Sequence, residues 1–271
     1  MSPVVGRWRA RATLLHAKPV ITNDSHLAQS GPVMHTPRFF WDHTLIVGND
    51  ITPPSDVTHH LLRVLRMKKG GELTFFNGDG YEYRGTITSI NRFKVSIAIV
   101  SSASISRESR LTSRLGLCIL KRHAMESALT RATELGVSEI TPLVSSRTNV
   151  RIPGEAHWQR VIQSSCEQCG RNTLPVLKKA STIANWLATT TGNIKIVANP
   201  LSKRLLDDLE SDSPTMCILV GPEGGLSCEE IENAEANGFL SVSLGKRVLR
   251  AETAPATLMS LAQYRWGDIS R

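Results

Sequence analysis

The sequence predicts two unlike parts: a small β-rich domain, followed by an α/β domain on a mainly parallel sheet. Three observations carry this expectation. A chain of 271 residues accommodates about two domains. Between residues 38 and 104, apolar residues alternate with period two around a strong turn signal. From Leu115 onward, short apolar strands alternate with segments of helical period, the pattern of a parallel sheet covered on both faces.

In the first part, "SDVTHHLLRVLR" (residues 55–66) reads as a short helix with Ser55 as N-cap. Glu72–Phe76 and Tyr81–Ile90 read as strands joined through Asn77-Gly78-Asp79-Gly80, a hairpin signal. Phe93–Val100 supplies another strand, enough for a small barrel. Ser101–Ser113 is rich in Ser and Arg and contains no aromatic residue. It reads as linker, with the core of the connection at residues 105–113.

In the second part, residues 115–120 are a strand. The helix 123–135 places Met125, Ala128, Leu129, Ala132 and Leu135 on one face and stops at Gly136. Residues 137–143 are a strand, and 155–169 a helix with Trp158, Val161, Ile162 and Ser165 inward. A strand at 174–177, a helix at 182–190 and strands at 194–199 and 216–220 follow. Ser227-x-x-Glu230 is a capping box opening a helix that Gly238 closes. Residues 240–244 are a strand, and Thr253-Ala-Pro-Ala opens the last helix with Pro255 in its first turn.

Hydrophobic residues at 41% and charged residues at 21% exclude a disordered or fibrous chain. No apolar run approaches a membrane span. Five cysteines fit a reducing compartment better than a disulfide scaffold. The net charge of +8 suggests a polyanionic partner, nucleic acid first, although an unspecialised basic enzyme has the same balance. The surplus is spread along the chain, so an anion-binding surface must be assembled by folding. Residues 1–33, with Arg7, Arg9, Arg11 and Lys18 before the first acid, show no apolar periodicity and read as a disordered extension. An Arg-rich start fits a mitochondrial transit peptide, and equally an upstream extension with Met34 as the natural start.

Three strand ends draw attention: Val197-Ala198-Asn199-Pro200, Val220 with Gly221-Pro222-Glu223-Gly224-Gly225, and Leu244-Gly245 through Arg250. Ligands of parallel α/β sheets bind beyond the carboxyl ends of strands. Glycine loops let backbone approach a ligand, and a following helix offers free N–H groups. Most such loops are only turns. The central Glu223 and the charged loop Lys246–Glu252 one strand later favour a site here. The dinucleotide and P-loop fingerprints and H-E-x-x-H are all missing. Cys166-x-x-Cys169 falls on a helix without a second pair and reads as structural rather than as a metal or redox site. Glu167, Gln168 and Arg171 end that helix, and Arg63, Arg66, Lys68 and Lys69 cluster in the small domain, either as a solvated face or as a phosphate grip.

"PRFF" (37–40), "HHLLRVLRMKKGGEL" (59–73), "TELGVSEITPL" (133–143), "EQCGR" (167–171), "LVGPEGGLSCEEI" (219–231) and "SLGKRVLRAETA" (243–254) occur in this order. Together they closely resemble the ribosomal RNA small-subunit methyltransferase E family, over about residues 34–268. These are SPOUT-superfamily enzymes that methylate N3 of a uridine in bacterial 16S ribosomal RNA. The resemblance implies a PUA-like β-barrel (34–104) and a SPOUT α/β domain (114–271) with a trefoil knot. It also implies a cytoplasmic homodimer and S-adenosylmethionine as cofactor, with neither metal nor membrane. Carried onto this sequence, the cofactor walls are Ala198–Pro200, Gly221–Gly225 and Leu244–Thr253. Within them Ala198, Asn199, Pro200, Gly221, Pro222 and Glu223 are candidate contacts. So are Gly224, Gly225, Leu244, Gly245, Val248, Leu249 and Thr253. Arg131 stands where the family usually has Lys, and residues 1–33 have no family counterpart.

Methylating N3 of uracil requires an in-line approach, an acceptor for the N3 proton and stabilisation of the anion on O2 and O4. The base must also be unpaired or flipped out. Arg250 and Arg171 are the candidates for anion stabilisation, and Glu223 and Glu252 for the base. Candidates for RNA contact are Arg38, Arg63, Arg66, Lys121, Arg147 and Arg171. Two other readings are a SPOUT ribose 2′-O-methyltransferase and a non-catalytic RNA-binding assembly factor.

Overall fold

The computed structural model describes residues 36–92, 94–148, 154–206, 209 and 215–269. The expectation for residues 1–33 lies outside the described residues. Thr36–Arg271 is one compact unit carrying two sheets.

The first sheet holds β1 (Arg38–Phe40), β2 (Asp50–Ile51), β3 (Glu72–Phe76), β4 (Tyr81–Asn91) and β5 (Lys94–Ser104), in the order β1-β3-β4-β5-β2. The β3–β4 hairpin forms where Asn77-Gly78-Asp79-Gly80 predicts it. Asp79 Oδ1 accepts the Tyr81 N–H at 2.9 Å, and both glycines have positive φ. Alternation turns Leu73, Phe75, Ile87, Val95, Ile97 and Ile99 into one buried cluster. The predicted helix at 55–66 is shorter and uneven. It consists of α1 (Ser55–His59) and a single π turn (His60–Val64). Ser55 is its first helical residue, Pro54 takes the N-cap position, and no side chain caps it. Arg66, just beyond, has φ 51°.

The second sheet holds β6 (Thr112–Cys118), β7 (Glu139–Val144), β8 (Val176–Leu177), β9 (Ser181–Thr182), β10 (Ile194–Ala198), β11 (Thr215–Val220) and β12 (Leu240–Val242). All its pairings are parallel, and the order is β12-β10-β11-β6-β7-β8 with β9 also on β7. One face carries α2 (Arg122–Glu134), α3 (Glu155–Cys169) and α6 (Thr253–Trp266). The other carries α4 (Ile183–Thr189) and α5 (Cys228–Ala236). The helical periods hold: Met125, Ala128, Leu129 and Ala132 are buried from α2, and Trp158, Ile162 and Ser165 from α3. Truncating one such side chain, Leu129 for example, costs about 2–5 kcal/mol. The capping box of α5 forms with both of its hydrogen bonds.

The linker is shorter than predicted. Strand β5 runs through Ser104 and β6 begins at Thr112, because the serines pair across β4. The remaining crossing is pinned: Leu111 is fully buried, Ser109 Oγ donates to Gln263 Oε1 at 2.6 Å and Arg110 Nε donates to the Trp266 carbonyl at 3.1 Å. The two sheets share apolar contact as well. Phe76, from β3, belongs to the core under α2, α3 and α6, and Phe40 packs against it.

Candidate active site

Strand order brings the predicted loops together. Strands β12, β10, β11 and β6 are successive neighbours, so the segments leaving their carboxyl ends meet at one edge. Between them lies a cavity of about 710 Å³. Of the predicted cofactor residues, Pro200, Val248 and Leu249 line it, together with all five residues of Gly221–Gly225. Ala198 and Leu244 instead pack against the apolar core below. Asn199, Gly245 and Thr253 are not in the lining and shape the walls from behind. Asn199 accepts the Leu201 N–H at 3.0 Å through Oδ1, which turns the chain after β10. Gly245 has φ 94° and its carbonyl accepts from Ser243 Oγ at 3.2 Å. The Thr253 N–H donates to the Arg250 carbonyl at 2.9 Å and starts α6.

The glycines differ in what they are for. A Cβ on Gly221 would lie 2.9 Å from Leu226 Cγ and 3.0 Å from Leu226 N, so the close turn itself requires glycine. A Cβ on Gly224 would point at the Arg147 stem, 3.6 Å from its Cβ and Cδ, an ordinary contact. The sequence alone suggests that Gly224 is needed for ligand approach. Its missing side chain in fact faces Arg147.

Four charged groups line the cavity. The Arg250 side chain is 85% exposed, while its backbone carbonyl is fixed by the amides of Thr253 and Ala254. Glu252, 20% exposed, lies 3.9 Å from the Arg250 guanidinium. Glu223 Oε1 accepts the backbone N–H of Lys121 at 3.0 Å, tying the glycine loop to the start of α2. Lys121 and Ala124 form a wall that sequence reasoning missed as part of the cavity. Nothing in the sequence says that β6 lies beside β11, so the approach of α2 to the glycine loop has no local signal.

Three predicted arginines are placed elsewhere. Arg171 is 4% exposed and does not line the cavity. Its guanidinium donates to both carboxylate oxygens of Glu108 and to the carbonyls of Thr133 and Val137. The group is thus enclosed and engaged on four acceptors, away from the cavity where anion stabilisation is expected and from the surface where RNA contact is expected. Arg38 is likewise drawn inward. It pairs with Glu82, donates to Asn172 Oδ1 at 2.8 Å and lies over the Phe76 ring, so it joins the two sheets rather than presenting to RNA. Arg147 is exposed but its Nη1 is engaged on two loop carbonyls. Glu167 is also inside. It accepts the Phe40 N–H at 2.9 Å, and burial pushes its carboxyl pKa up against the opposing pull of that hydrogen bond. By contrast, Arg63, Arg66, Lys68 and Lys69 are all exposed on and after the π turn. Cys166 is buried on α3, and burial raises its thiol to about 12, which leaves it unreactive at neutral pH.

Comparisons with known proteins give the family. Residues 107–263 match the model of an RNA methyltransferase domain, and residues 54–100 that of an RNA methyltransferase PUA domain. The chain is 35% identical over 241 residues to the ribosomal RNA small subunit methyltransferase E of Buchnera aphidicola subsp. Schizaphis graminum, covering 86% of this chain and 98% of that relative. The chain belongs to this methyltransferase family. Among solved structures, the ribosomal RNA small subunit methyltransferase E of Neisseria gonorrhoeae, bound to S-adenosyl methionine, is 33% identical with a TM-score of 0.81. It matches over 87% of this chain and 100% of that one. A putative methyltransferase of Legionella pneumophila, also with bound S-adenosyl methionine, is 34% identical with a TM-score of 0.82, over 86% and 99%. Family membership accounts for the order of motifs and for the PUA domain ahead of the α/β domain. No described helix is long and apolar enough to cross a membrane.

Proposed function

We propose that this protein transfers a methyl group from S-adenosylmethionine to N3 of a uridine in the 16S ribosomal RNA of the small subunit, in the cytoplasm. The observation that carries the reading is the cavity at the carboxyl edge of β12, β10 and β11, with glycine backbone on one wall and Arg250 and Glu252 on another. The residues fit the cofactor. The tight turn at Gly221, which no side chain could enter, sets backbone rather than bulk against a ligand. Val220, Val248 and Leu249 offer apolar surface, and Lys121 offers charge for its polar end.

When bound, S-adenosylmethionine supplies an electrophilic methyl carbon on a sulfonium. The protein's task is to present uracil N3 to that carbon in line and to deal with the N3 proton. Arg250, fixed in its backbone and exposed in its side chain beside Glu252, would face the charge developing on O4 or O2. Glu252 beside it is the proton acceptor of the scheme. Its carboxylate would take the N3 proton and pass it to solvent. Glu223 serves as a brace through the Lys121 amide.

The PUA sheet, closed as a barrel, would hold the RNA, with phosphates along Arg63, Arg66, Lys68 and Lys69. The segments after β11 and β12 would thread a trefoil knot, a reading supported by the family and by the placement of β12 outside β10. A homodimer would cover exposed apolar side chains such as Leu261, at 41%.

The test is nucleoside mass spectrometry of 16S RNA from a strain lacking the gene. The reading requires loss of 3-methyluridine and its return on complementation. Loss of a 2′-O-methylated nucleoside would make this a ribose methyltransferase, and an unchanged nucleoside profile would leave an assembly factor.

A further inference from the structure

Arg147 follows β7, two strands away from β11, yet its side chain crosses to the glycine loop. Its Nη1 donates to the Gly224 carbonyl at 2.8 Å and to the Leu226 carbonyl at 3.3 Å. Its aliphatic stem lies flat against Gly224, on the side where a Cβ would stand. The segment that carries Arg147 is itself anchored. The Ser145 N–H donates to Thr148 Oγ1 at 3.0 Å, and the Ser146 N–H donates to Glu230 Oε1 at 2.7 Å. The other oxygen of Glu230 accepts the Ser227 N–H at 2.8 Å in the capping box of α5. The turn after β7 is thus fastened at two points to the segment Gly221–Glu230, across the intervening strand β6.

We propose that Arg147 is a positioning residue that holds the Gly221–Gly225 loop in the shape its ligand needs, rather than a contact to RNA. This rests on the reading of that loop as the S-adenosylmethionine site. The physical reason is preorganisation. Three glycines in five residues give the loop many accessible backbone states, and ordering them on binding would weaken affinity. Within the loop, the Gly225 N–H bonds the Pro222 carbonyl at 2.8 Å and Gly225 has φ 71°. The guanidinium closes the outer side by satisfying two carbonyls that would otherwise turn freely to solvent. Its two Nη1 protons are committed there, so the Nη1–Nη2 edge is not open to a second acceptor pair.

The experiment compares wild type with Arg147→Ala and Arg147→Lys by three measurements. They are hydrogen exchange of the cofactor-free protein, titration calorimetry with S-adenosylmethionine, and filter binding of small-subunit RNA across salt concentrations. The alanine variant is expected to exchange the Gly225 amide faster and to bind S-adenosylmethionine about tenfold more weakly, the scale of a lost charge-assisted hydrogen bond. Its RNA affinity and salt slope should be unchanged, and its turnover at saturating cofactor close to wild type. Lysine, which can reach one carbonyl, should recover part of the loss. Unchanged exchange and cofactor affinity, with weaker RNA binding and a salt slope lower by about one, would overturn the proposal and make Arg147 a phosphate contact. If Gly221→Ala, which deforms the loop directly, bound the cofactor as wild type does, the assignment of the loop would fail. The exchange data would still decide whether Arg147 holds it.

Discussion

Glu223 Oε1 accepts the backbone N–H of Lys121 at 3.0 Å, joining the centre of the glycine loop to the residue that opens α2. The contact gives a charged residue in a candidate site a structural task. Glutamine retains an acceptor oxygen in the same place, so Glu223→Gln should keep methyl transfer within about threefold, whereas Glu223→Ala, which frees the loop from α2, should lose about tenfold. Equal and large losses in both variants, measured in single turnover, would make Glu223 the proton acceptor instead.

Gly221 and Gly224 should respond differently to the same small change. Gly221→Ala forces a Cβ into Leu226 and is expected to weaken S-adenosylmethionine binding tenfold or more, at about 1–3 kcal/mol of strain. Gly224→Ala meets only the Arg147 stem at ordinary distance and should bind within about threefold of wild type. Calorimetry on both variants checks this. Similar losses in the two would mean that the ligand, not the turn, excludes side chains.

Arg171 is a stability residue. Arg171→Ala strands the Glu108 carboxylate, which is 29% exposed, and two buried carbonyls. Urea unfolding should show a loss of about 3 kcal/mol, the lower end of the range for a broken buried pair because Glu108 retains some solvent. Arg171→Lys should rescue little, since one ammonium cannot serve four acceptors in this geometry. A fully stable Arg171→Ala protein with impaired chemistry would return the residue to the active site.

Glu167 sets a pH dependence. Its carboxyl pKa is raised by burial above the ordinary value of about 4.3, so the folded state holds the proton more tightly than the unfolded chain. Stability from this group is therefore present below the unfolded pKa and is lost as pH rises through the folded one. Glu167→Gln keeps an acceptor for the Phe40 N–H and removes the titration. Relative to that variant, wild type should lose stability as pH rises from about 4 and then level off. A difference independent of pH in urea midpoints would contradict this account.

The sequence makes the repetitive parts of this fold legible and hides the crossings. Periodicity places α2 and α3 with their buried faces because Met125, Ala128 and Leu129, or Trp158 and Ile162, recur on one side of a helix. The hairpin at Asn77–Gly80 and the capping box at Ser227 are local signals and stand where they are expected. The glycine loop is legible from its place at a strand end, and it lines a cavity there. The fate of Arg38, Arg147 and Arg171 is not, because an arginine reads alike whether it meets RNA, a carboxylate or a carbonyl. Which it meets depends on contacts more than 60 residues apart, such as Arg38 with Asn172 and Arg171 with Glu108. The family motifs carry Arg38 and Arg171 without saying that both turn inward.

In the proposed function, uracil N3 would be methylated at the cavity beside Arg250, with RNA held by the separate basic cluster of the small domain. Single-turnover methylation and filter binding on Arg250→Ala and on Arg63→Ala/Arg66→Ala test it most directly. Arg250→Ala should lower the transfer rate at saturating RNA by about a hundredfold, with RNA affinity unchanged. The double variant should weaken RNA binding and lower the log–log salt slope by about one to two, with the rate at saturation and cofactor affinity unchanged. If Arg250→Ala altered only RNA affinity while the double variant altered only the rate, the account would be contradicted.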